Sequence, residues 1–212
     1  MSYGQAPEVI GNYPLEVDEM MLYLYMPVWT PEPHGYKFMA DFVPEQLSPF
    51  KSMMNAALSD SYVKGERFDY WYITAKRMYV TPGNMGNRPG WHCDGYGTND
   101  VNYVWCDCVP TEFALQEFTD LSPDHNVSMA QMHEQIDDVS CIVACKANDL
   151  LRLDQHVVHR VARGDYRGMR TFFKLTGSNS RFNLKGNTHN YLMDYDWPMF
   201  DRQSERNMES AS

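Results

Sequence analysis

The stretch that decides the fold is "LRLDQHVVHRVARGDYRGMRTFFKL", residues 151–175. Two runs rich in β-branched and aromatic residues flank Gly164-Asp165, a pair of residues typical of tight turns. The pattern predicts a β-hairpin in which residue 159 lies opposite residue 170. On that pairing, His159 and Arg170 are neighbours on one face of the hairpin.

Similar strand signals recur along most of the chain. A proline-led segment with apolar residues at helical intervals, 43–63, precedes most of them and predicts a helix. A polar, turn-rich segment, 119–138, reads as an insert with a helical turn. The predicted strands lie within 20–29, 68–80, 101–110, 111–118, 139–149, 150–161 and 167–177.

Short, evenly spaced strands after a helix predict a mainly β (α+β) fold of the double-stranded β-helix, or jelly-roll, kind. We expect one domain over residues 1–212, with its core at about 68–177. The polar tail at about 178–212 is expected to wrap the domain, with its final ten residues disordered.

Composition narrows the functional classes. The chain has 212 residues, 43% of them hydrophobic, which is enough for a sizeable core. It has no run of 18 apolar residues and no signal-peptide pattern at its start, so we expect neither a membrane span nor export. The net charge of −10 disfavours bulk nucleic-acid binding. Five arginines between 152 and 170 leave a local basic channel open.

The five cysteines raise the question of a zinc site. An odd number of cysteines without an export signal indicates reduced thiols in a cytoplasmic protein. Cys106-x-Cys108 and Cys141-x3-Cys145 are the only paired spacings, and the first is shorter than zinc sites normally use. Both segments also read as strands. We therefore interpret these cysteines mainly as small buried apolar residues.

The stronger metal signal is "GWHCDGYG", residues 90–97. Residues two apart on a strand point to the same face, so His92 and Asp94 aim together while Cys93 points away. His159 adds a second imidazole. Two imidazoles and one carboxylate form the facial triad of non-haem Fe(II) oxygenases, which leaves positions open on the metal. Arg170 suits the distal carboxylate of an anionic chelator, because its planar fork can bind a carboxylate through two hydrogen bonds.

With these residues in this order, the sequence resembles the 2-oxoglutarate/Fe(II)-dependent dioxygenase superfamily. The resemblance covers roughly residues 70–177 and rests on His92-x-Asp94, His159, and Arg170 in "RGMRTFF", together with the strand "NDLLRLDQHVVHRV". It implies a jelly-roll fold, Fe(II), and 2-oxoglutarate and O2 as co-substrates. It also implies hydroxylation of a substrate with release of succinate and CO2.

Alternatives stay open for individual ligands. His156 competes with His159, but the two have opposite parity on a strand. Arg163, Arg167 and Lys174 compete with Arg170 for the keto acid, and Lys174 is retained as a second contact because it shares the face of Arg170.

Further contacts are expected around this centre. Tyr79, or Arg77 on the same side of its strand, is a candidate hydrogen-bond donor to the co-substrate, and Phe172 is a candidate to pack on its methylenes. Walls of the substrate site are expected from the loop at 81–91, from the 119–138 insert, and from Asn99, Asp100 and Asn102. The remaining histidines, His34, His125, His133 and His189, lack a partner at ligand spacing, although His125 and His133 lie in the insert.

Three functional hypotheses follow. The first is an oxygenase acting on a small metabolite, amino acid or nucleoside-type molecule. The second is a cupin-like metal-containing isomerase or ligand-binding jelly roll, which does not need Arg170. The third is a catalytically silent structural or interaction domain. A variant of the first is a nucleobase-modifying oxygenase acting on DNA or RNA, which needs the basic channel between residues 152 and 170. Neither the substrate nor the oligomeric state follows from the sequence.

Overall fold

The computed structural model describes residues 2–32, 37–136 and 138–202, and this part of the chain is mainly β. Its two α-helices are α1 (Lys51–Val63) and α2 (His125–Glu134), and short 3-10 helices occupy Met39–Phe42, Glu45–Phe50 and Val139–Cys141. The described strands are β1 (Glu8–Asn12), β2 (Met21–Trp29), β3 (Tyr70–Val80), β4 (Val101–Cys106), β5 (Glu112–Ala114), β6 (Ile142–Ala144), β7 (Asp149–Leu153), β8 (His159–Arg160) and β9 (Gly168–Ser178).

The strands form two antiparallel sheets, which confirms the predicted mainly β class. The large sheet has the order β1-β7-β4-β9-β3-β2, and the small sheet has the order β6-β5-β8. Phe113 of the small sheet packs with Leu151, Leu153 and Phe172 of the large sheet. The architecture is therefore consistent with a β sandwich. Within the described ranges, neither α-helix has the length and apolar character needed to cross a bilayer.

The predicted hairpin between residues 151 and 175 is wrong. His159 pairs with Phe113 in the small sheet, whereas Arg170 pairs with Met78 in the large sheet. The chain thus crosses from one sheet to the other between β8 and β9. The turn signal at residues 164–165 is local, but each flanking strand finds its partner elsewhere in the chain. Sequence spacing does not contain that information.

Strand β9 separates the two faces of the large sheet. Phe173 and Leu175 belong to the core beneath α1, where Met53 is fully buried and the rings of Phe50 and Phe173 stack at 4.9 Å. Each fully buried apolar side chain of this kind contributes roughly 1.5–3 kcal/mol. The alternate residues of β9 have the opposite parity and lie on the other face, which is turned towards the small sheet. This second face carries Arg170, Phe172 and Lys174.

Most predicted elements are confirmed with adjusted bounds. The helix predicted at 43–63 begins as a 3-10 helix and becomes α1 at Lys51. The 119–138 insert contains α2, which begins where the Asp124 side chain accepts hydrogen bonds from the backbone N–H groups of Asn126 and Val127. A cap of this kind satisfies N–H groups that have no partner within the helix.

The described part of the tail, residues 179–202, packs on the domain. Trp197 packs against Tyr70 and Tyr72 of β3, and the buried Asn190 side chain donates to the carbonyls of Pro27 and Phe42. No helix or strand forms between residues 179 and 202. The disorder expected for the last ten residues, 203–212, falls outside the described residues. So does His34.

Candidate metal centre and adjoining pocket

His92 and His159 are held together by their own backbones. The N–H of each residue donates to the carbonyl of the other, at 3.0 and 2.9 Å, in an isolated antiparallel bridge. Side chains of directly opposed residues lie on the same face of such a pair. The two imidazole rings accordingly approach to 4.5 Å between centroids. Two histidines 67 positions apart in the chain are therefore neighbours in space.

The ring nitrogens of both histidines are oriented in the same way. Nδ1 of His92 lies 2.7 Å from the carbonyl oxygen of Gly90, and Nδ1 of His159 lies 3.0 Å from that of Val157. A carbonyl only accepts, so each Nδ1 carries the proton and each Nε2 presents its lone pair. The Nε2 atoms lie 4.0 and 3.8 Å from the carboxylate oxygens of Asp94.

His92, Asp94 and His159 form the group of potential metal ligands found within the described ranges. One ligand atom from each residue lies within 4.8 Å of the others. Burial lowers the pKa of His92 well below its ordinary value, and the nearby His159 lowers it further. Burial also lowers the pKa of His159, against the opposing effect of Asp94. Both imidazoles are therefore neutral near pH 7, which is the form that binds metals.

Lys174 neutralises Asp94 in the described protein. Its Nζ lies 2.9 Å from Oδ2 of Asp94, and both groups are largely buried. Burial alone would raise the pKa of Asp94, but Lys174 and the two histidines lower it well below the ordinary value. The carboxylate therefore stays ionised, with Oδ2 engaged by the ammonium. Lys174 thus lies beside the predicted metal ligand Asp94, where it also contacts Tyr25.

Tyr25 completes the surroundings of Lys174. Its hydroxyl lies 3.5 Å from Nζ of Lys174, and the ammonium lies 5.0 Å from the centre of the ring. The backbone of Tyr25 has φ of 45°, in the left-handed region that costs a residue with a side chain on the order of 1 kcal/mol. This residue occupies an irregularity in the pairing of β2 with β3. The sequence analysis missed it, because a pairing irregularity has no clear signature within one strand.

Arg170 is buried, with 2% of its surface exposed. The guanidinium donates to the carbonyl oxygens of Cys108, Met85 and Val109 at 3.2 to 3.3 Å. Among the described residues, no carboxylate lies within 4 Å of it. A buried cation with only neutral acceptors is costly, and a bound anion would relieve that cost.

Lys76 is a second cation on this face, and the sequence analysis missed it. It pairs with Phe172 across β3 and β9, and its Nζ lies 2.8 Å from the carbonyl oxygen of Gly86. Burial, together with the nearby charges of Lys174 and Arg170, lowers the pKa of Lys76 to about 8. The pairing of β3 with β9 shows that Lys76 lies on the same face as Arg170, and this pairing cannot be predicted from the sequence of β3 alone.

Tyr79 and Arg77 lie away from this group. They pair with Met169 and Thr171, which have the opposite parity to Arg170 on β9. Tyr79 is 62% exposed, and Arg77 donates to the Thr171 hydroxyl at 2.9 Å. The structure therefore does not bring either residue to the metal centre. The strand itself was predicted correctly. The side chains that face the metal centre, however, are those that alternate with Arg77 and Tyr79, such as Lys76.

The other histidines lie elsewhere. The ring of His156 packs near Tyr3, at 5.1 Å, so His159 rather than His156 meets Asp94. His189 packs with Tyr195, and His133 is exposed on α2. His125, from the insert, lies beside Arg88 at 3.3 Å.

The arginines at 152–170 do not form a common exposed channel. Arg152 is paired with Glu8, Asp60 and Glu66, and its side chain is only 10% exposed. Arg160 pairs with Glu112 at 2.7 Å, while its guanidinium lies over the ring of Trp91. Arg163 and Arg167 are exposed in the crossing loop.

The cysteines do not form a described metal group. All five are free thiols, and Cys93 and Cys106 are buried as expected for small apolar residues. Burial raises the pKa of Cys108 to about 11, so this thiol is protonated near pH 7.

A pocket of about 590 Å³ adjoins Asp94. Arg88, from the predicted loop, and His125, from the predicted insert, both line it, as does Asp100. Asn102 instead lies in the sheet, where it accepts a hydrogen bond from Thr176 at 2.7 Å. The tail supplies much of the remaining wall, between residues 181 and 187 and at 201–202. The sequence analysis missed this contribution, because the tail has no periodic pattern from which its position on the domain could be predicted.

Comparison with known proteins gives no family assignment: no protein-family model matches the chain, and no curated protein is significantly similar to it.

Proposed function

We propose that this protein is a non-haem Fe(II)- and 2-oxoglutarate-dependent dioxygenase with a double-stranded β-helix fold. It would hydroxylate a small molecule and release succinate and CO2. The observation that carries the proposal is the convergence of His92, Asp94 and His159 beside a face of the large sheet. This face holds Arg170, which is buried and has no carboxylate within 4 Å among the described residues.

The donor set fits Fe(II). Two neutral imidazoles and one carboxylate are the ligands of the facial triad, and they leave positions for a chelating co-substrate and for O2. The three ligands come from two segments of the chain. His92 and Asp94 lie in one segment, and His159 lies in β8 of the small sheet, to which His92 is bridged. The absence of cysteine from this described group disfavours a structural zinc site.

The basic face of the large sheet suits 2-oxoglutarate. Arg170 would hold the distal carboxylate, with the Lys76 ammonium as a second source of positive charge. Both cations lie near the ring of Phe172, at 5.6 and 6.0 Å from its centre. This ring would pack on the methylenes of the keto acid. When bound, Fe(II) with 2-oxoglutarate and O2 supplies the oxidation that hydroxylates a C–H bond.

The chain itself prepares the ligands. The carbonyls of Gly90 and Val157 fix the proton on each Nδ1, so both Nε2 atoms are ready to coordinate. Lys174 holds Oδ2 of Asp94 at 2.9 Å, so Oδ1 is the oxygen that would be available to a metal.

The fold also favours the proposal. In a jelly roll, reactive groups lie between two packed sheets. Here β8 contributes His159 from one sheet and β9 contributes Arg170 from the other. The crossing of the chain between β8 and β9 is what allows consecutive strands to supply both groups.

Anaerobic addition of Fe(II) and 2-oxoglutarate tests the proposal. We expect a weak visible charge-transfer band, present in the wild type and in R163Q, and lost in H159A. After admission of air, succinate should form. If the wild type binds Fe(II) but gives neither the band nor succinate, the oxygenase proposal is wrong.

A cupin-like isomerase or ligand-binding protein is the second candidate. Within this candidate, the ion pair between Lys174 and Asp94 favours the ligand-binding protein over the metal-containing isomerase, because it keeps the carboxylate neutralised without a metal. The variant R170L separates the two functions. An oxygenase should lose 2-oxoglutarate binding in R170L, whereas a protein of the second kind has no need of this guanidinium and should keep its ligand affinity.

A further inference from the structure

The pocket beside Asp94 has a polar and aromatic wall built from several parts of the chain. Tyr25, Tyr96 and Phe182 supply flat apolar surfaces, and three arginines approach from separate segments: Arg88, Arg181 and Arg202. The volume of about 590 Å³ falls within the usual range for small-molecule sites. Since Asp94 lines this pocket, a molecule bound there would lie next to the proposed metal.

The acidic side chains of the pocket already have partners within the protein. Asp94 is paired with Lys174, and Asp201 is paired with Lys185 at 2.7 Å. The carboxylate of Asp100 accepts hydrogen bonds from Ser178 and Thr98. Asp94 and Asp100 consequently have little capacity left to bind a cationic ligand, whereas the exposed pair with Lys185 compensates Asp201 only weakly.

Arg181 and Arg202 are less fully compensated by the acidic groups of the described residues. Arg202 donates to the Asn187 side chain, and among the described residues no carboxylate lies within 4 Å of its guanidinium. Arg181 lies 3.7 Å from Glu32, and its side chain is 40% exposed, so that pairing is loose. A carboxylate or phosphate suits such guanidinium groups, which bind planar or tetrahedral anions through paired hydrogen bonds.

The interior next to the pocket adds to the positive potential. A divalent metal and a dianionic keto acid would cancel each other's charge. Three basic side chains, Lys76, Arg170 and Lys174, would then face the single carboxylate of Asp94 on the described walls of the centre. The residual field is positive, and a poorly hydrated site strengthens its effect on a ligand.

We infer that the pocket binds a small organic anion, a carboxylate or a phosphate monoester, and that Arg181 and Arg202 recognise its charge. The carbon skeleton packs on the rings of Tyr25, Tyr96 and Phe182. That this anion is the substrate rests on the proposed oxygenase function, whereas the binding of the anion to the pocket does not.

Matched aromatic probes test the inference by calorimetric titration of the full chain without added metal. Benzoate and phenyl phosphate are the two anionic arms, and benzamide and benzyl alcohol are their neutral counterparts. We expect at least one anion to bind saturably and its neutral counterpart to bind about tenfold more weakly, as for loss of a charge-assisted hydrogen bond. The anion that binds with the higher affinity shows whether the pocket prefers a carboxylate or a phosphate.

Variants locate the binding. R181Q and R202Q should each weaken anion binding about tenfold, while R163Q and R167Q, at exposed arginines of the crossing loop, should not change it. Arg170 and Lys76 also attract anions, so K76Q serves as a comparator. Equal affinity for neutral and anionic probes, or a loss seen in K76Q but not in R181Q and R202Q, would overturn the inference.

The outcomes also separate this inference from the proposed function. Anion binding that depends on Arg202, in a protein that binds Fe(II) but gives neither the charge-transfer band nor succinate, keeps the pocket and refutes the oxygenase. A protein that forms the Fe(II)–2-oxoglutarate complex but binds neither anion refutes the pocket assignment alone.

Discussion

The ammonium of Lys174 lies 2.9 Å from Oδ2 of Asp94, and both side chains are largely withdrawn from solvent. A buried ion pair of this kind stabilises little relative to apolar residues, but removing one partner leaves an uncompensated charge. Lys174 and a metal ion would both neutralise the same carboxylate. This relationship gives a test that does not depend on catalysis.

We expect K174M to destabilise the metal-free protein by about 3–5 kcal/mol. Added Mn²⁺ should restore more stability to K174M than to the wild type, because the ion then replaces the positive charge that Lys174 supplies to Asp94. Urea unfolding with chelator and with Mn²⁺ measures both effects. K185M is the matched control, since the pair of Lys185 with Asp201 is exposed and should contribute less than about 1 kcal/mol. Equal losses in K174M and K185M would contradict the assignment.

Metal binding should depend on His159 and not on His156. We expect H159A and D94A each to lower Mn²⁺ affinity by about a hundredfold or more, since each removes one of three ligands from a site that must be complete. H156A removes a histidine three positions away that packs near Tyr3, and it should bind the metal as the wild type does. Equilibrium dialysis with Mn²⁺ measures all three, and a loss in H156A comparable to that in H159A would refute the ligand set.

Keto acid binding should depend on the guanidinium of Arg170. We expect R170L to bind 2-oxoglutarate about a hundredfold more weakly, as expected for loss of a paired, charge-assisted contact. Mn²⁺ affinity should stay unchanged, because Arg170 does not contact the metal ligands. R170K keeps a positive charge in the same place and should recover part of the affinity. If R170L binds the keto acid normally, the co-substrate lies elsewhere.

The buried charge of Lys76 should lower the stability of the folded protein. Its pKa is lowered to about 8 from the ordinary 10.5, so the unfolded chain binds this proton more tightly than the folded protein does. Stability is therefore lost as the pH falls from about 10.5 to about 8, and the loss persists at lower pH. K76M should be more stable than the wild type at pH 7, by on the order of 1–3 kcal/mol, and this gain should disappear towards pH 10.5.

Urea unfolding of K76M and wild type at pH 7 and at pH 10 measures this difference. K146M, at an exposed lysine, is the control and should show no comparable gain. K76M should also bind 2-oxoglutarate more weakly at pH 7. A variant that is less stable at neutral pH would show that Lys76 serves packing rather than charge.

Local sequence patterns predicted most of the elements but not their pairing. Aromatic and β-branched residues in 68–80 and 167–177 predict β3 and β9, because such residues fit a pleated, half-buried surface. The pairing of β9 with β3 and β4, and not with β8, depends on contacts between distant parts of the chain. The hairpin prediction failed for this reason, although His159 and Arg170 are both buried.

The site shows the same division. His92-x-Asp94 was predictable as a pair from its two-residue spacing, which turns side chains to one face of an extended chain, although Asp94 lies in the turn that follows the His92 bridge. Lys76 and Tyr25 were not, since one depends on the register of β3 and the other on an irregularity in β2. Tyr79 was chosen on the wrong parity. The arginines of the tail, Arg181 and Arg202, lie in a segment whose course is fixed by packing and by the buried Asn190 rather than by any repeating pattern.

The reactive groups and the outer wall of the pocket are built from different kinds of backbone. His159, Arg170 and Lys174 belong to ladders that cannot shift without disturbing their neighbours, whereas residues 181–187 follow an irregular path outside both sheets. Substitutions, insertions and deletions in that path can accumulate without breaking a strand. Descendants of this chain could therefore acquire new ligand preferences by remodelling the tail while inheriting the chemistry intact.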